Sequence, residues 1–158
     1  MTAAPTVAAY AATFRAAPAR VAAAVDSLSV RQRTTAFIPG EWTVAQNVHH
    51  LADSHTRFVT DLRLALTEER PQLKSYQADA FAVLPDAQSA DFSVSLQQFA
   101  AVQARLALLI EQLTEAQLAR TSVDTRGERT IAALLEIFAH HPAAHITQIT
   151  ATLTAAQE

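Results

Sequence analysis

All six histidines of this 158-residue chain fall in two tight groups, His49, His50 and His55 in one and His140, His141 and His145 in the other. Imidazole is the commonest protein ligand for metals and the usual general base near neutral pH. Two groups far apart in sequence, if folding brings them together, would make one metal centre. His141 and His145 are four residues apart, so on a helix both rings leave one face a turn apart and can chelate one ion. The same spacing suits two hydrogen-bonded core histidines, so the first group must supply the deciding ligand. There the residues leave three candidates open. His55 lies on the apolar stripe, His50 at its edge and His49 further round, and periodicity slightly favours His55 for burial. Asp53, three residues after His50 and four after His49, could be a ligand or a carboxylate behind one.

Other chemistry is sparse. The chain has no cysteine, so it has no disulfide, thiolate ligand or sulfur nucleophile, and thiol chemistry would need an external thiol. No Ser-His-Asp arrangement, glycine-rich phosphate loop or paired-carboxylate spacing stands out. Trp42 could line a pocket or anchor packing at a helix entry, and Glu136, four residues before His140, reads as a surface partner. Arg57 and Arg63 could meet an anionic substrate or stay solvated, and Tyr76 stands in the longest connection, where a lid would lie.

These residues are carried by four amphipathic segments. Val7, Tyr10, Phe14, Pro18, Val21, Val25 and Leu28 step by three and four along a first helix, bent near Pro18. A second helix runs from about Thr43 to Glu69, opened by a capping-box pattern at Thr43 and Gln46. Phe92, Leu96, Phe99, Val102, Leu106, Ile110 and Leu113 mark a third, and a second capping-box pattern at Thr114 and Gln117 predicts a short extra turn. The fourth begins near Thr130 and carries Ile131, Leu134, Phe138, His141, His145, Ile149 and Leu153. With 2 glycines, abundant alanine and 50% hydrophobic residues, the chain reads as an all-α four-helix bundle forming one domain over residues 1–158. Its alanine-rich start is expected to be helical. Ser29 to Trp42 joins helices one and two, with a Pro39-Gly40 turn signal. The longer Arg70 to Asp91 segment is expected to be a crossover that leaves helices two and three parallel.

A formal charge of −3 without a basic run gives no electrostatic footprint for nucleic acid or an anionic membrane. The N-terminus lacks a basic segment before an apolar core, and no apolar run is long enough to span a bilayer. The expectation is a soluble cytoplasmic protein.

The run Glu41-Trp42-Thr43-Val44-Ala45-Gln46-Asn47-Val48-His49-His50-Leu51-Ala52-Asp53-Ser54-His55, followed by Leu64-Ala65-Leu66-Thr67-Glu68-Glu69, resembles the second helix of the YfiT-like branch of the DinB superfamily. Ala16-Ala17-Pro18 through Gly40 and His140-His141-Pro142-Ala143-Ala144-His145-Ile146 are similar to that branch too, so the likeness covers most of the chain. The resemblance implies an up-down-down-up bundle, frequent dimerisation and a metal held by three histidines, which by position are His50, His141 and His145. It thus selects His50 where periodicity does not.

Three neutral imidazoles leave a position open for water or substrate, and zinc or nickel is the expected ion, since imidazole suits several metals. The family implies two activities: transfer of a low-molecular-weight thiol such as bacillithiol to an electrophile, ranked first here, and metal-dependent hydrolysis. A non-catalytic, stress-associated metal-binding bundle is the reading from a different class. This chain departs from the pattern at Pro142, where close relatives usually carry another histidine. A proline there is expected to bend the fourth helix and disturb the chelating geometry.

Overall fold

The computed structural model describes residues 6–157. Residues 1–5, with Ala3 and Ala4 of the alanine-rich start, and the last residue of the 1–158 domain reading lie outside the described residues; from Val7 onward that start is helical, as expected. The elements are α1 (Val7–Ala24), α2 (Val30–Thr34), α3 (Val44–Thr67), α4 (Ala78–Ala82), a 3-10 turn (Asp86–Gln88), α5 (Ser93–Ile110), α6 (Glu115–Leu118), β1 (Thr121–Asp124), β2 (Gly127–Thr130) and α7 (Ile131–Ala155). The four long helices α1, α3, α5 and α7 form the bundle.

Helix starts follow from capping chemistry. At α3 the Thr43 hydroxyl accepts from the Gln46 backbone N–H, and the Gln46 side chain accepts from the Thr43 N–H. Each satisfies a donor that the helix cannot. The same reciprocal pair at Thr114 and Gln117 opens α6, and Ser29 with Gln32 opens α2. At the other end of α3, the Arg120 guanidinium donates to the carbonyls of Ala65 and Glu68, which lack helical partners.

Cross-bundle pairs fix the directions. His49 meets Ser95 and His55 meets Gln103, so α3 and α5 run parallel. Asn47 meets His145 while Phe58 stacks on Phe138, so α3 and α7 run antiparallel. Arg15 pairs with Glu111, and Val25 shares a buried cluster with Phe92, so α1 opposes α5. The order is up-down-down-up, with α1 and α3 each packed on both α5 and α7. Phe14, Phe58 and Phe99 are among the largest fully buried side chains along the axis.

The two connections carry more structure than expected. α2 interrupts the first, and α4 and the 3-10 turn occupy part of the crossover. The chain is also mostly rather than wholly helical. β1 and β2 form an antiparallel hairpin, Thr121 opposite Thr130 and Asp124 opposite Gly127. The turn works because Gly127 takes φ +110, a region that side chains disfavour. The hairpin clamps the crossover: Leu73 N–H donates to the Val123 carbonyl at 2.8 Å, and Val123 N–H donates to the Pro71 carbonyl at 3.0 Å. Neither proline ends its helix. Pro18 lies inside α1 and Pro142 inside α7, and both helices continue past them.

Candidate metal centre

The site lies where α3 and α7 cross. α3 buries Asn47, His49, His50, Ser54 and His55, an unusual load of polar side chains that requires partners. His141 and His145 approach from α7, one turn apart. His141 Nε2 lies 3.2 Å from His50 Nε2 and 2.9 Å from His145 Nε2. One ligand atom from each of the three rings falls within 4.8 Å of the others. Pro142 sits between two of the rings without preventing their convergence.

Burial sets the charge. His50 and His141 are pushed down to about 3, first by loss of solvent and then by neighbouring rings. His145 is lowered by burial as well. The rings are therefore neutral at pH 7, the form that ligates.

Their outward nitrogens are also committed. Asn47 Nδ2 donates to the Thr43 carbonyl at 2.9 Å, which turns its Oδ1 toward His145 Nδ1 at 2.8 Å. His145 therefore carries its proton on Nδ1 and presents a lone pair at Nε2. His50 Nδ1 faces the Tyr76 hydroxyl at 3.4 Å. His141 Nδ1 faces His55 Nε2 at 3.3 Å. Trp42 meets His50 edge-on at 4.8 Å between centroids and lies nearly parallel to the His145 ring at 6.1 Å, so it packs behind the rings and is not part of the cavity wall.

A tetrahedral ion with metal–nitrogen bonds of about 2.0–2.1 Å would hold neighbouring nitrogens about 3.3 Å apart. The observed 2.9 and 3.2 Å separations are close to that, and the donor set fits a divalent ion. His50 and His141 also line a cavity of about 390 Å³, whose wall includes Arg57, Asp61, Lys74, Tyr76, Asp124 and Arg126. An ion at the cluster would have one side facing that space.

The remaining candidates divide clearly. His55 is wholly buried and stands behind His141. His49 hydrogen-bonds Ser95 and the Ser89 carbonyl, and His140, largely exposed, pairs with Glu136. Glu136 also accepts from the Tyr10 hydroxyl at 2.6 Å and so ties α1 to α7. Asp53 makes no hydrogen bond to any of these rings among the described residues. Its half-buried carboxyl is raised by burial and by Asp86, and Asn47, His55 and Tyr76 occupy the positions behind the cluster instead. Arg57 reaches the cavity, held by Asp61 and the Lys74 carbonyl, whereas Arg63 is exposed and absent from the cavity wall. Sequence reasoning missed Asn47, Gln103 and the contribution of the hairpin to the wall. The one signal for Asn47 was a polar residue placed one helical turn before His50 and Leu51, on the side of α3 that carries the ring.

Residues 13–149 match the DinB superfamily. The chain belongs to that superfamily. A DinB relative from Bacillus subtilis (strain 168), named "Putative metal-dependent hydrolase YfiT", is 36% identical over 137 residues, covering 84% of this chain and 77% of its own. A relative with the same description from Bacillus mycoides (strain KBAB4) is 34% identical over 134 residues, again covering 84% and 77%. The solved structure of YfiT from Bacillus subtilis, described as "a probable metal-dependent hydrolase with an unusual four-helix bundle topology", superposes with a TM-score of 0.87 at 32% identity, covering 90% of this chain and 83% of that one. The DinB-like four-helix bundle is thus the fold of this chain.

Proposed function

We propose that this DinB superfamily member is a divalent-metal-dependent enzyme acting on a small molecule, with His50, His141 and His145 as the metal ligands. The observation that carries the reading is the convergence of three neutral imidazoles at the edge of a cavity of about 390 Å³. A packing role alone would not require that opening, so a purely structural, stress-associated bundle is the weaker reading.

A metal bound there would lower the pKa of coordinated water or hold a thiol as its thiolate, the nucleophilic form. The chain's own residues bind and orient. Asn47 and Tyr76 face the outward nitrogens of His145 and His50, and Phe138 and Arg57 line the cavity beside the cluster. Arg57, Lys74 and Arg126 offer cationic donors to an anionic substrate, while Asp61 and Asp124 hold two of them in place.

The finer proposal is transfer of a low-molecular-weight, bacillithiol-like thiol to an electrophile. Its supports are the motif likeness, the cationic groups of the wall and the chain's lack of cysteine. Hydrolysis is the second reading, favoured by the descriptions of the relatives. Zinc or nickel, a homodimer and a cytoplasmic setting complete the proposal. No helix among the described residues is long and apolar enough to cross a membrane.

The test begins with elemental analysis of untagged protein, before and after reconstitution. Near-stoichiometric zinc or nickel, followed by conjugation of a small thiol to a chromogenic electrophile, is the expected outcome. Metal-loaded protein that hydrolyses esters or amides but conjugates no thiol would replace transfer by hydrolysis. No metal uptake would remove both.

A further inference from the structure

Among the described residues, the buried side-chain atom without a hydrogen-bond partner is Gln103 Oε1. Gln103 is fully enclosed on α5, and its Nε2 lies 3.2 Å from His55 Nδ1. His55 is equally enclosed, and its Nε2 lies 3.3 Å from His141 Nδ1. A buried polar chain therefore runs from α5 through α3 to one ring of the cluster. Apolar packing would fill these positions without any need for glutamine or histidine, so the chain calls for a reason.

The direction of its hydrogen bonds decides which nitrogen of His141 carries the proton. As the amide stands, Gln103 Nε2–H donates to His55 Nδ1. Neutral His55 then carries its proton on Nε2 and donates to His141 Nδ1, which leaves the proton of neutral His141 on Nε2. That proton points at His145 Nε2, 2.9 Å away, a bare lone pair because Asn47 takes the other proton. Every link is satisfied, and a metal is shut out, because a ligating nitrogen must present a lone pair.

A half-turn of the Gln103 amide reverses the chain. Oε1 then accepts from His55 Nδ1–H, His55 Nε2 accepts from His141 Nδ1–H, and His141 Nε2 is bare. Protons balance: one leaves His141 Nε2, one arrives at His55 Nδ1, and the His55 Nε2 proton passes to His141 Nδ1. Each ring holds one proton before and after. In either setting one end of the amide meets His55 and the other end has no partner; without a metal the closed setting keeps the added bond from His141 Nε2–H to His145 Nε2, and in the open setting a bound ion takes the place of that bond.

We propose that Gln103 and His55 are positioning residues forming a two-setting tautomer relay, closed to metal with the amide nitrogen toward His55 and open with the amide oxygen toward it. This inference rests on the metal-site reading above. It makes His55, the ring most enclosed and not itself a ligand, the reporter of loading.

The test is long-range proton–nitrogen NMR of the full chain with ¹⁵N-labelled histidine, before and after one equivalent of zinc, with the His55 signals assigned by loss in His55→Asn. The expected result is a proton on His55 Nε2 without zinc and on His55 Nδ1 with it. Gln103→Glu, whose carboxylate only accepts, should place the proton on His55 Nδ1 without zinc and raise zinc affinity about tenfold. Zinc-bound wild-type protein with the His55 proton unmoved overturns the relay and leaves the metal site standing. Wild-type protein that takes up no zinc overturns both. If Gln103→Glu does not fold, the wild-type spectra decide alone.

Discussion

Asn47 Oδ1 accepts the Nδ1 proton of His145 at 2.8 Å, and the Thr43 carbonyl fixes the orientation of that amide. The N-terminal turn of α3 therefore determines which nitrogen α7 offers to the cluster. Asn47→Leu should lower metal affinity about 10–100-fold while leaving one site per chain. Asn47→Asp, which keeps the acceptor, should retain wild-type affinity or better. Calorimetric titration with zinc reads both, and equal affinity for Asn47→Leu and wild type would show that the bond does not support ligation.

Removing a ligand differs from removing a support. His50→Ala, His141→Ala and His145→Ala should each lose stoichiometric metal, whereas His49→Ala and His140→Ala should keep it, because their rings bond to Ser95 and Ser89 or to Glu136. Elemental analysis after dialysis makes the comparison, and retention in all five would refute the assignment.

The pH dependence of the metal-free protein has a definite sign. His50 and His141 titrate near 3 in the fold but near 6.5 in an unfolded chain, so the unfolded state binds more protons between those values. Stability should be full above about pH 6.5 and fall below it, by at most about 1.4 kcal/mol per pH unit for each ring. Urea unfolding at pH 7, 6 and 5 samples this window before most carboxylates titrate. A flat profile there would mean that the rings are solvated.

Phe58 is 1% exposed and stacks on Phe138 with centroids 3.9 Å apart, joining α3 to α7 beside the cavity. Phe58→Ala should cost about 3–5 kcal/mol of stability, seen as a lower urea midpoint. A loss under about 1 kcal/mol would mean that this part of the core collapses to fill the space.

Gly127 has open space around its missing side chain but a φ of +110. Gly127→Ala should therefore destabilise through the backbone, by about 1–3 kcal/mol, with metal affinity unchanged because, among the described residues, the hairpin makes no hydrogen bond to a ring of the cluster. Thermal unfolding and zinc titration of the same sample separate the two effects.

The sequence carried the helical skeleton because its signals are local. Thr43 with Gln46 marks the start of α3, Thr114 with Gln117 that of α6, and the three-and-four stepping of Phe92 through Leu113 marks α5. His141 and His145 were readable as neighbours for the same reason. What faces them was not, since it depends on how α3 is rotated against α7. Periodicity points to His55 as the deepest ring, and it is wholly buried, yet burial and convergence differ: the cluster takes His50 at the stripe's edge. The hairpin escaped because its strands are four residues each and rich in charged and polar groups, with only Asp124-Thr125-Arg126-Gly127 as a turn signal. Asn47 and Gln103 escaped because an amide carries no periodic signature, and their partners lie on other helices.

The backbone clamp between the crossover and the hairpin separates two tasks. Lys74, Tyr76, Asp124 and Arg126 belong to segments tied to each other through Pro71, Leu73 and Val123, whereas the three imidazoles belong to α3 and α7. Tyr76, whose hydroxyl faces His50 Nδ1, is the one of these four that meets a ring of the cluster, so insertions or exchanges at Lys74, Asp124 and Arg126 can reshape the cavity without retuning the rings beside it. Within one architecture, substrate preference and metal chemistry are free to diverge at different rates.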